Sequence, residues 1–286
     1  MPLALALAAA VAAATGPGPD PAGTAAAMQG PAQPLAGAPA RSATALRRYP
    51  APQARQGVAV GAQFLYAVSN HEIVKYDKHS GERLGQWRGD PQRFPHINSC
   101  ALIAAELVCA SSNYPATPHW SSVEFFDPDT LDHLRSVSLG LGTGSLTWVD
   151  RKDGAWWALF ANYDGRGGEA PRDHRHTLLV RLDEAWRRTE SWAFPASVLE
   201  RIAPSSISGG GWGPDGRLYA TGHDRPELYV LALPREGGAV LDHLDTLGIA
   251  VEGQAIDWDE SEPGMLYGIS RRERQIVSMR VPAGTP

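Results

Sequence analysis

Gln56-Gly57-Val58-Ala59-Val60, followed by Phe64-Leu65-Tyr66-Ala67-Val68-Ser69-Asn70, is a short apolar run opened by a polar and a small residue and handed back to polar ones. The same figure returns four times. Asn98-Ser99-Cys100-Ala101-Leu102 leads to Leu107-Val108-Cys109-Ala110. Gly144-Ser145-Leu146-Thr147-Trp148 leads to the apolar stretch 156–162, and Ser208-Gly209-Gly210-Gly211-Trp212 leads to 218–223. Last, Glu252-Gly253-Gln254-Ala255-Ile256 leads to 265–270. The starts at 56, 98, 144, 208 and 252 are spaced by 42, 46, 64 and 44 residues. Short β-runs and turns repeating every forty-odd residues are the pattern of propeller blades. The sequence therefore predicts an all-β, five-bladed β-propeller, with a six-bladed ring as the alternative.

Each repeat continues into outer strands. Examples are Glu72-Ile73-Val74-Lys75-Tyr76-Asp77, Ser122-Val123-Glu124-Phe125-Phe126-Asp127 and Glu227-Leu228-Tyr229-Val230-Leu231. His79-Ser80-Gly81, Asp127-Pro128-Asp129 and Pro214-Asp215-Gly216 supply turn chemistry between them. The long third interval comes from an insertion at 164–176, rich in Gly, Arg, Asp and His. A sixth blade would have to come from 183–203, which lacks a second pair of inner strands. The fifth repeat runs out after Val281, one strand short, and the segment 45–50 before the first repeat is free to supply it. Helix is confined to a turn or two near 196–202.

Residues 1–16 form a signal-peptide-like segment. An uninterrupted small-apolar run covers 3–14, too short to span a bilayer, and Ala-x-Ala precedes Thr15. It lacks the usual basic flank, since the first basic residue is Arg41. Residues 17–44 read as an Ala/Pro-rich disordered linker, and 45–286 as the propeller domain. A secreted or periplasmic protein is the expectation, against a low-complexity tail on a cytoplasmic one. Cys100 and Cys109 lie symmetrically about one hairpin turn. A cross-strand disulfide and a pair of reduced core thiols both fit that placement. The formal net charge of −5 and the absence of a basic stripe disfavour nucleic acid as a partner. No membrane span is expected, and a monomer acting on a small-molecule substrate is.

In a propeller, the lead-in to each innermost strand and the exit from the second strand share one face. That brings Gln56, His96, Asn98, Ser208 and Glu252 toward Asn70, Asn113-Tyr114, Asn162-Tyr163, His223 and Ser270-Arg271. A polar ring over an apolar core is the anatomy of a small-molecule site. Glu252 enters a core strand and needs a cation or hydrogen-bond donors there. His96 and His223 suit proton transfer near neutral pH. The expected catalytic residues are therefore Glu252, His96 and His223. Asn98, Asn113, Tyr114, Asn162, Tyr163, Gln56 and Gln254 are expected to bind substrate, and Glu252, Asn113, Asn162 and His223 to hold a metal. Calcium is the first expectation for such oxygen and amide ligands, with magnesium, zinc or manganese as alternatives. The bland readings stand beside these: Asn after a strand is commonly a turn residue, and His174 and His176 read as solvated loop residues.

Two resemblances bear on this. Glu252-Gly253-Gln254-Ala255-Ile256-Asp257-Trp258, with Leu266-Tyr267-Gly268-Ile269, resembles the opening repeat of SMP-30/gluconolactonase/paraoxonase-like propellers. That likeness implies a channel divalent cation, held by the Glu and by Asn and Asp residues of other blades. The segment from Tyr219 to Tyr229 is similar to the Thr-Gly-Lys-x-Trp-Pro-x-Leu-Tyr stretch of five-bladed glutamine cyclotransferases, and Gln56-Gly57 to their Gln-Gly-Leu. Their Glu-Gly-Trp-Gly motif is met here by Gly211-Trp212-Gly213, without the acid. Three functions follow: a metal-assisted lactonase, hydrolase or lyase of a small oxygenated substrate, a metal-free cyclase-like acyltransferase with Glu252 as acid–base, and a non-catalytic binding propeller. No Gly-x-Ser-x-Gly, phosphate loop or Cys-x-x-Cys occurs, which disfavours serine-hydrolase, NTPase and thiol-redox chemistry.

Overall fold

The computed structural model describes residues 37–284. Two strands precede the first blade, β1 (Arg41–Ser42) and β2 (Thr44–Pro50). The first blade is β3 (Gly57–Val60), β4 (Phe64–Ser69), β5 (Glu72–Asp77) and β6 (Arg83–Arg88). The second is β7 (His96–Ile103), β8 (Glu106–Ser112), β9 (Trp120–Phe126) and β10 (His133–Leu141). The third is β11 (Ser145–Lys152), β12 (Ala155–Ala161), β13 (Leu178–Leu182) and β14 (Arg188–Ala193). The fourth is β15 (Gly209–Trp212), β16 (Leu218–Thr221), β17 (Glu227–Ala232) and β18 (Asp242–Gly248). The fifth holds β19 (Asp257–Trp258), β20 (Met265–Ser270) and β21 (Gln275–Arg280). Within every blade the strands pair antiparallel in chain order, as hairpin-linked strands must. The first strands β3, β7, β11, β15 and β19 touch one another in a closed ring. The protein is a five-bladed β-propeller.

The fourth strand of the fifth blade is β2, paired antiparallel with β21 from Thr44↔Arg280 to Pro50↔Gln275. It is the missing strand anticipated at 45–50. Order begins earlier than residue 45, however. β1 pairs in parallel with β18 on the outside of the fourth blade, and Ala43 is buried between the fourth and fifth blades. The linker expected over 17–44 is thus corrected at its end, because Arg41 and Ser42 find unpaired backbone on an edge strand. The signal-like segment 1–16 lies outside the described residues.

Five apolar clusters fill the five gaps between neighbouring blades. Each draws on the alternating inward positions of two facing sheets, as face-to-face sheet packing requires. Trp148, Trp157, Leu159, Tyr229 and Leu231 form one such gap, capped by α1 (Ala196–Ile202) through Val198 and Ile202. The α1 residue Arg201 pairs with Glu227 at 2.6 Å, both buried. Cys100 and Cys109 are directly opposite in register on β7 and β8 and are joined as a disulfide, with Cα atoms 4.0 Å apart.

At the starts of the inner strands there is little room. A Cβ on Gly57 would come within 2.5 Å of Ala255 Cβ, and one on Gly209 within 2.4 Å of Ala255 Cα. Ala255 of the fifth blade is therefore clamped between the first and fourth. Gly209→Ala should force backbone apart here and cost about 1–3 kcal/mol, whereas Gly165→Ala, which meets nothing within 4 Å, should be neutral. Equal urea midpoints for the two variants would refute the clamp.

Candidate functional site

The lead-in to the fifth blade is a tight turn. Gly253 has φ +46, and any Cβ there would sit 2.1 Å from Gly222 O, so only glycine fits. Gln254, at φ +76, donates its backbone N–H to Gly222 O, and its own carbonyl accepts from Thr221 Oγ1 at 2.5 Å. This turn delivers Glu252 to a cavity of about 860 Å³ at one mouth of the channel. The walls come from the first and fifth blades and include Gln56, Asn70, His71, Arg55, Arg271 and Arg274. Gln56 Nε2 donates to Asn70 Oδ1 at 2.7 Å, so Asn70 serves as a partner for the lead-in residue opposite it.

Glu252 is an anchored carboxylate. It accepts from Arg271 N at 3.1 Å and from Ser270 Oγ at 3.4 Å, and Arg272 Nε lies 3.4 Å away. Arg271 is itself held by His223, whose Nε2 is 3.1 Å from Nη1 and whose carbonyl accepts from Nη2 at 3.3 Å. A guanidinium only donates, so His223 Nε2 must accept, and the Nδ1 proton goes to Asp224 Oδ1 at 2.6 Å. Both ring nitrogens of His223 are thereby engaged, and the ring braces Arg271.

His96, Asn98, Tyr114 and Tyr163 gather elsewhere, where the second blade meets the third. An irregular step in register between Ile97 and Ser99 leaves Asn98 unpaired along the strand, as a β-bulge does. Its Nδ2 crosses to Leu146 O at 2.6 Å and to Ser112 Oγ at 3.3 Å. Ser112 Oγ lies 2.8 Å from Ser145 Oγ, and the Tyr163 hydroxyl hydrogen-bonds Ser145 in turn. Burial pushes the Tyr163 hydroxyl well above its ordinary range. The rings of His96 and Tyr114 are 5.1 Å apart, and those of Tyr114 and Tyr163 4.8 Å. Burial drives the His96 imidazole down to about 4, partly offset by its hydrogen bond with Asn98.

The expectation that His96, Asn98, Asn113, Asn162, His223 and Glu252 surround one cavity is therefore corrected: of these, Glu252 alone lines it. Asn113 closes its own loop, donating to Pro118 O and accepting from Trp120 N. Asn162 is buried, with its Nδ2 bound to Thr143 O and His176 O, and pins the insertion. Gln254 is buried and holds the turn through its backbone. Short polar side chains after these strands meet local backbone partners before they reach the axis, which is why the ring does not form.

The expected metal ligands do not converge, and the surroundings of Glu252 do not suit a divalent cation. The Arg272 guanidinium and the Arg271 backbone N–H stand where a second carboxylate or amide would be needed. Among the described residues, Asp164, Asp173 and His174 alone bring three such ligand atoms within 4.8 Å. They are on the insertion, where His174 Nδ1 lies 2.6 Å from Asp164 Oδ1 and Arg175 Nε donates to Asp173 at 2.9 Å. Arg271 was placed on this face by the sequence reading; what that reading missed at the mouth is the other arginines. Arg55, Arg272 and Arg274 line it with Arg271, while Glu72 is paired with Arg88. The signal was present as Arg271-Arg272-Glu273-Arg274 directly after the fifth blade's second strand.

Solved structures share this architecture at low identity. A luciferin-regenerating enzyme matches at 10% identity and TM-score 0.50, over 78% of this chain and 75% of its own. The PQQ-bound aldose sugar dehydrogenase of Streptomyces coelicolor matches at 14% identity and TM-score 0.47, over 86% and 84%. Against a chain of the mitotic checkpoint complex the match has 10% identity and TM-score 0.42, and spans 79% of this chain but 63% of that one. No family pattern and no curated protein matches the sequence. The match at TM-score 0.50 is a likeness of fold alone.

His96 gives the site region a pH signature. In the unfolded chain the imidazole takes up a proton near 6.5, and in the folded protein only near 4. Its contribution is thus nil above pH 7 and increasingly unfavourable as pH falls through that window, reaching about 3 kcal/mol at the bottom. Urea midpoints measured from pH 7 to 4 should fall less steeply for His96→Gln, by one proton's worth. Parallel curves would show that His96 is not held neutral.

Proposed function

We propose that this chain is an exported propeller whose arginine-lined mouth binds a small hydroxylated carboxylate and its lactone, and that Glu252 opens the lactone without a metal. The observation that carries this reading is the anchored carboxylate of Glu252 beside Arg271 and Arg272 on one open cavity. Guanidinium forks recognise carboxylates through paired charge-assisted hydrogen bonds, and Gln56 and Asn70 offer amide groups to hydroxyls. Glu252 takes a proton from a water as its oxygen attacks the lactone carbonyl. Arg271 stabilises the oxyanion that forms. Collapse breaks the ring C–O bond, and the departing alkoxide recovers the proton from Glu252. The hydroxy acid so released is the anion that the arginines are suited to hold.

The cyclase-like alternative needs a protonated acid among aromatic rings, whereas Glu252 meets the Arg272 guanidinium, the Arg271 N–H and the Ser270 hydroxyl. The Cys100–Cys109 disulfide and the signal-like residues 1–16 support an oxidising, exported setting.

Calorimetry with aldonates and turnover of the matching lactones test the proposal together. Glu252→Gln should lower turnover by about 10²–10⁴-fold and leave aldonate affinity within a few-fold. Arg271→Gln should weaken aldonate binding by about tenfold or more. Chelator should leave turnover unchanged. Aldonate binding without any lactone turnover would make the mouth a binding site only, and failure to bind either compound would overturn the reading.

A further inference from the structure

The arginines that line the mouth beside Glu252 are not equally engaged. Arg272 Nε faces Glu252 at 3.4 Å, and the Arg271 guanidinium is held by His223. The other carboxylate of the wall, Glu72, is paired with Arg88 at 3.2 Å. Arg55 and Arg274 are exposed and line the same cavity, and neither meets a carboxylate among the described residues. They belong to one stretch of wall. Arg274 O accepts from Ala51 N at 2.9 Å, and its Nη1 donates to Pro52 O at 3.3 Å. The turn that begins there is closed by Ala54 N on Ala51 O, and Arg55 follows it directly.

Arg274 also stands where the backbone disfavours an arginine. The β20–β21 hairpin turns through 271–274, and Arg274, the last residue of that loop, has φ +57. A Cβ is strained in this left-handed region, and Gly81 and Gly216 fill comparable turn positions. Where larger residues take a positive φ, they pack. Leu131 is buried between the first and second blades, and Trp186 stacks on Trp156 at 4.3 Å. Arg274 does neither. It is exposed, reaches one backbone carbonyl and leaves its charge unmatched at the cavity. The size of the mouth points the same way. About 860 Å³ is toward the upper end for a small-ligand site, more than one hydroxy acid held at Glu252 and Arg271 would fill. Gln56 Oε1 and Asn70 Nδ2 are not used in the Gln56–Asn70 bond, and His71 lines the same wall.

We infer that the ligand of this mouth carries two anionic groups, one facing Arg271 and the other taken by Arg55 and Arg274, with its hydroxyls on Gln56 and Asn70 between them. The inference rests on the hydroxy-acid reading above and narrows it to sugar acids charged at both ends. The second group is a carboxylate or a phosphate monoester, since a guanidinium holds either through charge-assisted hydrogen bonds.

Calorimetry with gluconate, glucarate and 6-phosphogluconate tests this, because the three share one carbon chain and differ at its far end. At least one dianion should bind about tenfold or more tighter than gluconate, and the one that does identifies the second group. Arg55→Gln and Arg274→Gly should each remove most of that preference. Arg274→Gly also relieves the left-handed backbone, so its urea midpoint should hold or rise, which separates a lost preference from a damaged fold. Arg188→Gln removes one positive charge from the outer strand of the third blade and should leave the preference intact. Gluconate bound as tightly as both dianions would overturn the inference while leaving the hydroxy-acid site standing. So would a dianion preference that survives the Arg55 and Arg274 substitutions together, or one lost equally in Arg188→Gln. No binding of any of the three would overturn both readings.

Discussion

Five strands cannot begin at a common axis unless the residues there are small and their backbone groups find partners across the gaps between sheets. The first condition is met by Gly57, Gly209 and Ala255, which touch where larger residues would drive the blades apart. The second is met by bonds that belong to no sheet. Ala255 N–H reaches Gln56 O, Gln254 N–H reaches Gly222 O, and Asn98 and Ser121 supply side chains to the carbonyl and amide of Leu146. Buried backbone groups left unpaired are costly, so these bridges decide which polar side chains are available for anything else. Asn98 and Thr221 are spent on structure for that reason, and Glu252 and Gln56 are not.

The two ends of the channel differ in charge in a way the net charge conceals. One mouth gathers Arg55, Arg271, Arg272 and Arg274. The other gathers Asp150, Asp257 and Glu260. The separation follows from the strands themselves: each inner strand contributes its first residues to one end and its last to the other, so two chemically independent surfaces are built from one short repeat.

The ring was legible in the sequence because its information is periodic. Five similar stretches recur, and even the closing strand and the α1 helix could be placed from where repeats ran short or long. The site was legible only in part. Glu252 and Gln56 line one cavity, as expected, because position in the repeat predicts which face a residue reaches. Asn113 and Asn162 were misplaced because repeat position does not say whether a side chain will be captured by its own loop. His223 was assigned to proton transfer because nothing in its sequence neighbourhood shows that Arg271 would occupy its second nitrogen. Asp150 and Asp257 escaped notice because each lies within an inner strand, β11 or β19, where the reading looked for packing.

The pairing of β2 with β21 joins ends of the chain that are far apart; Arg47 N–H, for example, donates to the Ser278 hydroxyl 231 residues away. Contacts of such separation come late in folding, since the entropy of closing so long a loop must be met before they contribute. During synthesis the first four blades can assemble in turn, each against its predecessor, while β2 stays an unpaired ribbon until the last segment emerges. The finished ring is therefore a record of completion: a chain cut short by its final dozen residues would keep most of its blades and still be unable to lock.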